Sequence, residues 1–188
     1  MEESINLKQI KILGGVGSIL SLLGNVPQVG FLLGLVGFIL VLIAIFNLEK
    51  ATREKGIFSK FLIGSLISWL GVFAIFVFFF VFVVLSPAAA FAWEKVKGFL
   101  PLIVLFFLFF WVLIIFGSYL IKKSYEKIAK ITKEEKFAQA GFFNFIGAIT
   151  LIVLVGFVLS LVSEIFAILA FFSLSDELKR EIAEEKVS

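Results

Sequence analysis

Residues 30–48, GFLLGLVGFILVLIAIFNL, recur without a gap at 156–174 as GFVLSLVSEIFAILAFFSL, with identity at nine of nineteen positions. An internal repeat constrains a chain more than any local signal, because both copies must bury the same face in the same way. The identities are Gly30, Phe31, Leu33, Leu35, Val36, Ile39, Ala44, Phe46 and Leu48. The repeat specifies an architecture; no chemistry is attached to it.

The medium follows from composition. A chain of 188 residues with 61% apolar residues and 26 Phe, at a mean hydropathy of +1.14, has more apolar surface than a globule of its size can bury. It reads as an all-α integral membrane protein. Cutting at the charges leaves apolar stretches at Leu7–Gly24, Val29–Asn47, Phe61–Leu85, Phe99–Ile121 and Phe137–Phe172. As one helix the last would be about 54 Å long, against a hydrocarbon core of about 30 Å, so it must turn. The repeat puts that turn near Val155 and Gly156, opposite Val29 and Gly30, and the count becomes six transmembrane helices.

Charge gives the orientation. Six spans with the N-terminus inside place fifteen of the seventeen Lys and Arg residues in the cytoplasm and leave only Lys95 and Lys97 outside, as the positive-inside bias requires. The expected fold is three in-out-in hairpins in one transmembrane domain covering 1–188. They comprise a first repeat hairpin at 7–47, a Phe-rich middle hairpin at 57–131 and a second repeat hairpin at 132–174. An outer interfacial helix at 86–98 and a charged cytoplasmic tail at 175–188 complete it. Both termini are cytoplasmic, the two copies run parallel, and the plasma membrane is the expected location. The acidic start MEESIN is unlike a cleavable signal.

Local signals refine the connections. Asn6 with Gln9, and Thr132 with Glu135, have the spacing of capping boxes that open the first and fifth helices. Asn25, Val26, Pro27 and Gln28 read as a tight turn. Glu49 with Arg53 and Lys50 with Glu54 have the i,i+4 spacing that would extend the second helix to Lys55, with Gly56 as its stop. Ser86 and Pro87 read as the start of the interfacial helix, with Trp93 at headgroup level and Gly98 as its end. DELKREIAEEKVS reads as a charged, frayed tail helix. Gly14 with Ser18, Gly17 with Ser21, Gly30 with Gly34, and Gly64 with Ser68 and Gly71 form small-residue seams. These suit close helix packing, and alternatively a ligand-lined cavity or a dimer face.

Glu164 is the candidate site residue, the sole ionisable group deep within a span. A carboxyl there costs about 3 kcal/mol on insertion scales and usually marks a function. No Lys or Arg lies in any span, so it is expected as the neutral acid. Counting equal steps from the turn puts Gly147 opposite it, with Asn144 one turn away and Ser160 and Ser163 on its own helix. A hydrogen-bonded structural acid and a proton or cation site both fit. Lys122, Lys123, Lys127 and Lys130 form a basic segment able to meet anionic lipid or a partner, or to serve only as the orientation signal.

Several classes fall away. With no His, no Cys and a single Asp, Asp176, the chain lacks the groups for metal, thiol, serine-histidine or paired-aspartate catalysis. No cofactor, metal ion or nucleic acid is expected as a partner. The abundance of Lys and Glu leans toward a thermophilic source.

ILGGVGSILSLLG, the Pro27 turn, GLVGFILVLIAIFNL and the closing AFFSL resemble a prokaryotic family of small multi-pass membrane proteins, domain of unknown function 996. That resemblance implies the membrane architecture and no activity. Two functions remain open: a non-catalytic accessory or interaction subunit, partnered by the bilayer and by another membrane protein or its own copy; and a proton- or cation-coupled transporter or channel using Glu164.

Overall fold

A computed structural model describes residues 5–26, 30–89, 93–153 and 155–178. Six helices follow one another: α1 Lys8–Leu23, α2 Gly30–Thr52, α3 Ile57–Ala89, α4 Trp93–Thr132, α5 Lys136–Ile149 and α6 Val155–Ser173. Helix satisfies every backbone donor and acceptor within the segment, which an apolar solvent demands. The one sheet contact among the described residues is the antiparallel pairing of β1 (Ile5–Asn6) with β2 (Glu177–Leu178). It replaces the start of the expected tail helix; the rest of that helix lies outside the described residues, as do Pro27 and Gln28.

Each helix packs against its neighbours in sequence and α6 returns against α1, so the six close into a ring. The joint between α2 and α3 is the slightest. Four helices, α2, α3, α4 and α6, are long and apolar enough to cross a membrane. With 16 and 14 residues, α1 and α5 reach only about 24 and 21 Å, less than the hydrocarbon thickness of about 30 Å.

The core lies at one end of the ring, where the loops 53–56 and 133–135 sit. Leu7, Ile45, Leu48, Ile57, Ile128, Phe137 and Phe171 are fully enclosed there, joining all six helices. Polar contacts clamp the same end. Glu49 accepts the Phe58 N–H at 2.7 Å, Ser124 donates to the Ile57 carbonyl at 2.8 Å, and Lys127 donates to the Lys55 carbonyl at 2.7 Å. Leu7 N–H meets the Asp176 carbonyl at 2.8 Å, and the Lys11 ammonium meets the Asp176 carboxylate at 3.2 Å.

These contacts correct the expected caps. Leu7 and Glu135 are the N-caps of α1 and α5, and neither makes a side-chain cap bond. Thr132 instead closes α4, its hydroxyl donating to the Ile128 carbonyl at 2.8 Å, as Thr52 closes α2 on Leu48 at 2.8 Å. Arg53 and Lys133 follow, each at φ 56°, in the left-handed geometry that stops a helix. Glu49 accepts from the Phe58 N–H, and Glu54 pairs with Lys127.

The middle hairpin is also simpler than expected. Ser86 and Pro87 lie in the last turns of α3, and Gly98 lies inside α4, so no separate helix spans 86–98. A proline this near a helix end costs one backbone hydrogen bond and leaves the run intact. Trp111 donates its indole N–H to the Ala148 carbonyl at 2.9 Å, which marks where α5 ends beside α4. From Trp111 back to Trp93 α4 runs on for about 27 Å. The α3–α4 arm there is held by its own rings, Phe78 on Phe106 at 4.8 Å and Phe106 on Phe110 at 4.5 Å.

Burial follows the repeat. Helix α2 and its flank bury Gly30, Gly37, Val41, Ala44, Ile45 and Leu48; α6 and its flank bury Gly156, Ser163, Ala167, Ala170, Phe171 and Leu174, the same six positions. The turn of the last hairpin comes earlier than expected, through Thr150 and a 3-10 turn at Leu151–Val153.

Close backbone approach sets the helix pairs. A Cβ on Gly17 would stand 2.9 Å from the Gly37 carbonyl oxygen, and one on Gly64 2.6 Å from that of Gly117. On Gly37 it would run into the α1 backbone at Ser21, whereas on Gly98 it would meet nothing within 4 Å. Gly37→Val is expected to cost about 2–3 kcal/mol by overpacking, and Gly98→Ala to be neutral or to gain up to about 1 kcal/mol from helix propensity. Unfolding of the two purified variants side by side checks this; equal effects would rule out the α1–α2 contact described.

Candidate functional site

Above the apolar core the ring encloses a cavity of about 360 Å³, lined from all six helices. Helical spacing selects the lining. Ser18, Ser21 and Asn25 recur at i, i+3 and i+7 along α1 and its end, as do Ser118, Ile121 and Tyr125 along α4, and Phe61, Ser65 and Ser68 recur at i, i+4 and i+7 along α3. Val41, Phe61, Ile121, Tyr125 and Ala167 belong to the core cluster and form the floor. Gly24, Asn25, Gly30 and Phe31 line the other end. Phe38 and Glu164, equivalent in the repeat, both face the cavity.

Ser18, Ser65, Ser118 and Ser163 are buried. Ser163 donates to the Ala140 carbonyl at 2.8 Å, crossing from α6 to α5. Asn25 donates to Glu164 Oε2 at 3.4 Å while also donating to the Leu22 carbonyl at 3.1 Å; the contact with the carboxyl is long and shared. The Asn144 side-chain oxygen is buried in the lining with no hydrogen-bond partner. No Lys or Arg lines the cavity.

Of the residues singled out in the sequence, Glu164, Asn144 and Ser163 meet here. Ser160 does not: its hydroxyl turns back to the Gly156 carbonyl at 2.9 Å. The equal-step pairing of Gly147 with Glu164 is corrected as well, because Gly147 faces Gly156 and Ser160 while Ser163 reaches Ala140. The earlier turn shifts the register, and Glu164 finds its partner not on α5 but at the end of the neighbouring α1, in Asn25. Asn25 was legible only as a turn residue, and no sequence signal marked Tyr125 as a lining residue. Ser18, Ser21 and Ser68 were legible as packing seams, and the structure turns them toward the cavity.

The basic segment lies elsewhere, at the loop end. Lys122 and Lys123 share Glu126 at 2.9 and 3.0 Å, Lys127 holds Glu54 at 2.9 Å, and Lys130 is exposed without an ion pair among the described residues. Three of the four thus tie α4 to itself and to the 53–56 loop.

One carboxyl, that of Glu164, faces hydroxyls and amides, with the Tyr125 phenol as the other ionisable group of the lining, and among the described residues no group of three metal-ligating acids, His or Cys forms. Its contact with Asn25 is weak and the repeat tolerates Phe at the same position. Glu164→Leu is therefore expected to stabilise the protein by about 1–2 kcal/mol, with Glu164→Gln within about 0.5 kcal/mol of wild type. Equilibrium unfolding in detergent reads both, and a loss of more than about 2 kcal/mol for Leu would make the carboxyl a structural requirement.

No solved structure matches the chain. MJ1644, an uncharacterized protein of Methanocaldococcus jannaschii, is 36% identical over 179 residues, which cover 94% of this chain and 98% of that one. A family model described as "Protein of unknown function (DUF996)" matches residues 33–165, from early α2 to Ile165 just past Glu164. With most of its length inside that model and a full-length relative beside it, the chain belongs to the DUF996 family.

Proposed function

We propose that the chain is a non-catalytic, multi-pass accessory or interaction subunit of the plasma membrane. All six helices cross or nearly cross the bilayer, the two terminal hairpins are parallel copies of one unit, and both termini are cytoplasmic. The shared burial of six equivalent positions in α2 and α6 supports the repeat. The Lys-rich connections at the core end support the orientation.

The observation that carries the interaction reading is the unequal height of the hairpins. The terminal hairpins turn at Gly24–Val26 and Thr150–Val153 while α3 and α4 run on past them. Phe73, Phe76, Phe79, Phe80, Leu105 and Phe109 on this arm are exposed. From Lys11 to Gly24 and from Lys136 to Thr150 the rise is only about 20 Å, so a membrane of about 30 Å leaves both turns below its far surface. Polar turn groups at that depth need a protein cover or a thinned bilayer. A second helical membrane protein seated beside the arm and over the turns would supply that cover.

Two measurements test this. The chain has no Cys, so single cysteines at Lys55 and Glu134 are expected to react with an impermeant maleimide only after the membrane is opened, and one at Ile152 without opening; the reverse pattern would overturn the orientation. Photo-crosslinkers at Phe76 and Phe109 in native membranes are expected to trap a discrete protein band, and lipid adducts alone would overturn the subunit reading.

A further inference from the structure

Six of the serines that the apolar stretches carry, Ser18, Ser21, Ser65, Ser68, Ser118 and Ser163, are turned inward to the cavity. In an apolar solvent this sorting keeps polar groups out of lipid, but it does not require a void. The hydroxyls of Ser18, Ser65 and Ser118 could have closed on neighbouring carbonyls across packed helices, as Ser163 does on Ala140. They line about 360 Å³ of open space instead, within the range of about 300–1,000 Å³ typical of small-molecule sites. The buried Asn144 oxygen, an acceptor with nothing to accept, marks the same space as built for a donor.

The charge of that donor is set by the walls. Among the described residues Glu164 is their one acid and no Lys or Arg is present, so an anion would meet no counter-charge, whereas a cation could displace the Glu164 proton and pair with the carboxylate. Phe38, Phe61, Trp69 and Tyr125 also contribute to the lining, and aromatic faces attract a cation through their quadrupole. A bare metal ion would need a tight cage of oxygens, which a cavity of this size with largely aromatic and aliphatic walls does not offer. We propose that the cavity is a binding site for a small organic ammonium ion carrying an apolar body, its head between Glu164, Asn144 and the aromatic side chains.

The ring also has a way in. Where α2 meets α3 the packing is slight, bridged by Phe38 and Trp69 at 6.1 Å and, nearer the core, by Phe46 and Phe58 at 5.2 Å. Phe38 and Trp69 both line the cavity and Trp69 is half exposed, so this pair separates the cavity from the bilayer. An amphiphile dissolved in the membrane would reach Glu164 by parting these two rings. The ammonium could belong to a lipid headgroup or to a free lipophilic amine.

The test is equilibrium binding of benzyltrimethylammonium to the full chain in dodecyl maltoside, beside its uncharged carbon isostere neopentylbenzene. The cation is expected to bind saturably and at least about tenfold more tightly than the isostere. Glu164→Gln is expected to erase that preference while leaving the protein's elution and helicity unchanged, and Ser118→Phe, which fills the cavity, to abolish binding of both. Equal affinity for cation and isostere, an unaffected Glu164→Gln variant, or no saturable binding would each overturn the proposal. Added phosphatidylethanolamine that competes, where phosphatidylglycerol does not, assigns the site to a lipid headgroup; failure of both to compete, with the charge preference intact, assigns it to a free amine. None of these outcomes depends on whether the protein has a membrane partner.

Discussion

Everything in this ring hangs from the apolar plug at its loop end. Leu7, Ile57, Ile128, Phe137 and Phe171 have no solvent exposure, and they come from the start of α1, the starts of α3 and α5, the last turns of α4 and the end of α6. A membrane gives helices little hydrophobic reason to associate, so packing and hydrogen bonds must hold them. Here both are concentrated at one level. Glu49 on Phe58, Ser124 on Ile57 and Lys127 on Lys55 fix the connection between α2 and α3, which have few other contacts. With its base fixed, the ring can remain open inside above it.

That division of labour explains how the glycines and serines share helix faces. Gly17 against Gly37 and Gly64 against Gly117 bring helix pairs within backbone distance. One position further on, Ser18 and Ser65 turn from those seams to the interior. The repeat allows the copies to differ where the fold is indifferent. Val41 and Ala167 both form the floor, whereas Phe38 and Glu164 bring an aromatic ring and a carboxyl to the same space. Aromatic and acidic groups thus face one cavity from equivalent positions.

Much of this was legible in the sequence, for physical reasons. Apolar length and charge spacing pointed to six helices, and Ala44 in α2 and Ala170 in α6, equivalent in the two similar segments, are both buried. The isolated acid pointed to Glu164, because an ionisable group in an apolar run has no cheap explanation. What escaped were features decided by tertiary contact. The capping boxes at Asn6 and Thr132 lost to a backbone bond with Asp176 and to a helix terminus with left-handed Lys133. The partner of Glu164 depended on a turn placed at Thr150–Val153, a shift too small to read from uniform apolar sequence. The void was legible only as an alternative to close packing, since serines that line a cavity and serines that pack a seam have the same spacing.

A cavity edged with hydroxyl, amide and carboxyl groups stands inside an apolar ring, and water is expected to reach the one and not the other. Single cysteines at Ser65 and Ser118, on the cavity wall, compared with Ile63 and Phe116, on the exposed faces of the same helices, measure this directly through reaction with a small charged methanethiosulfonate in lipid vesicles. The account predicts modification at Ser65 and Ser118 and none at Ile63 and Phe116. Equal reactivity of the two sets, or protection at Ser65 and Ser118 alone, would contradict it.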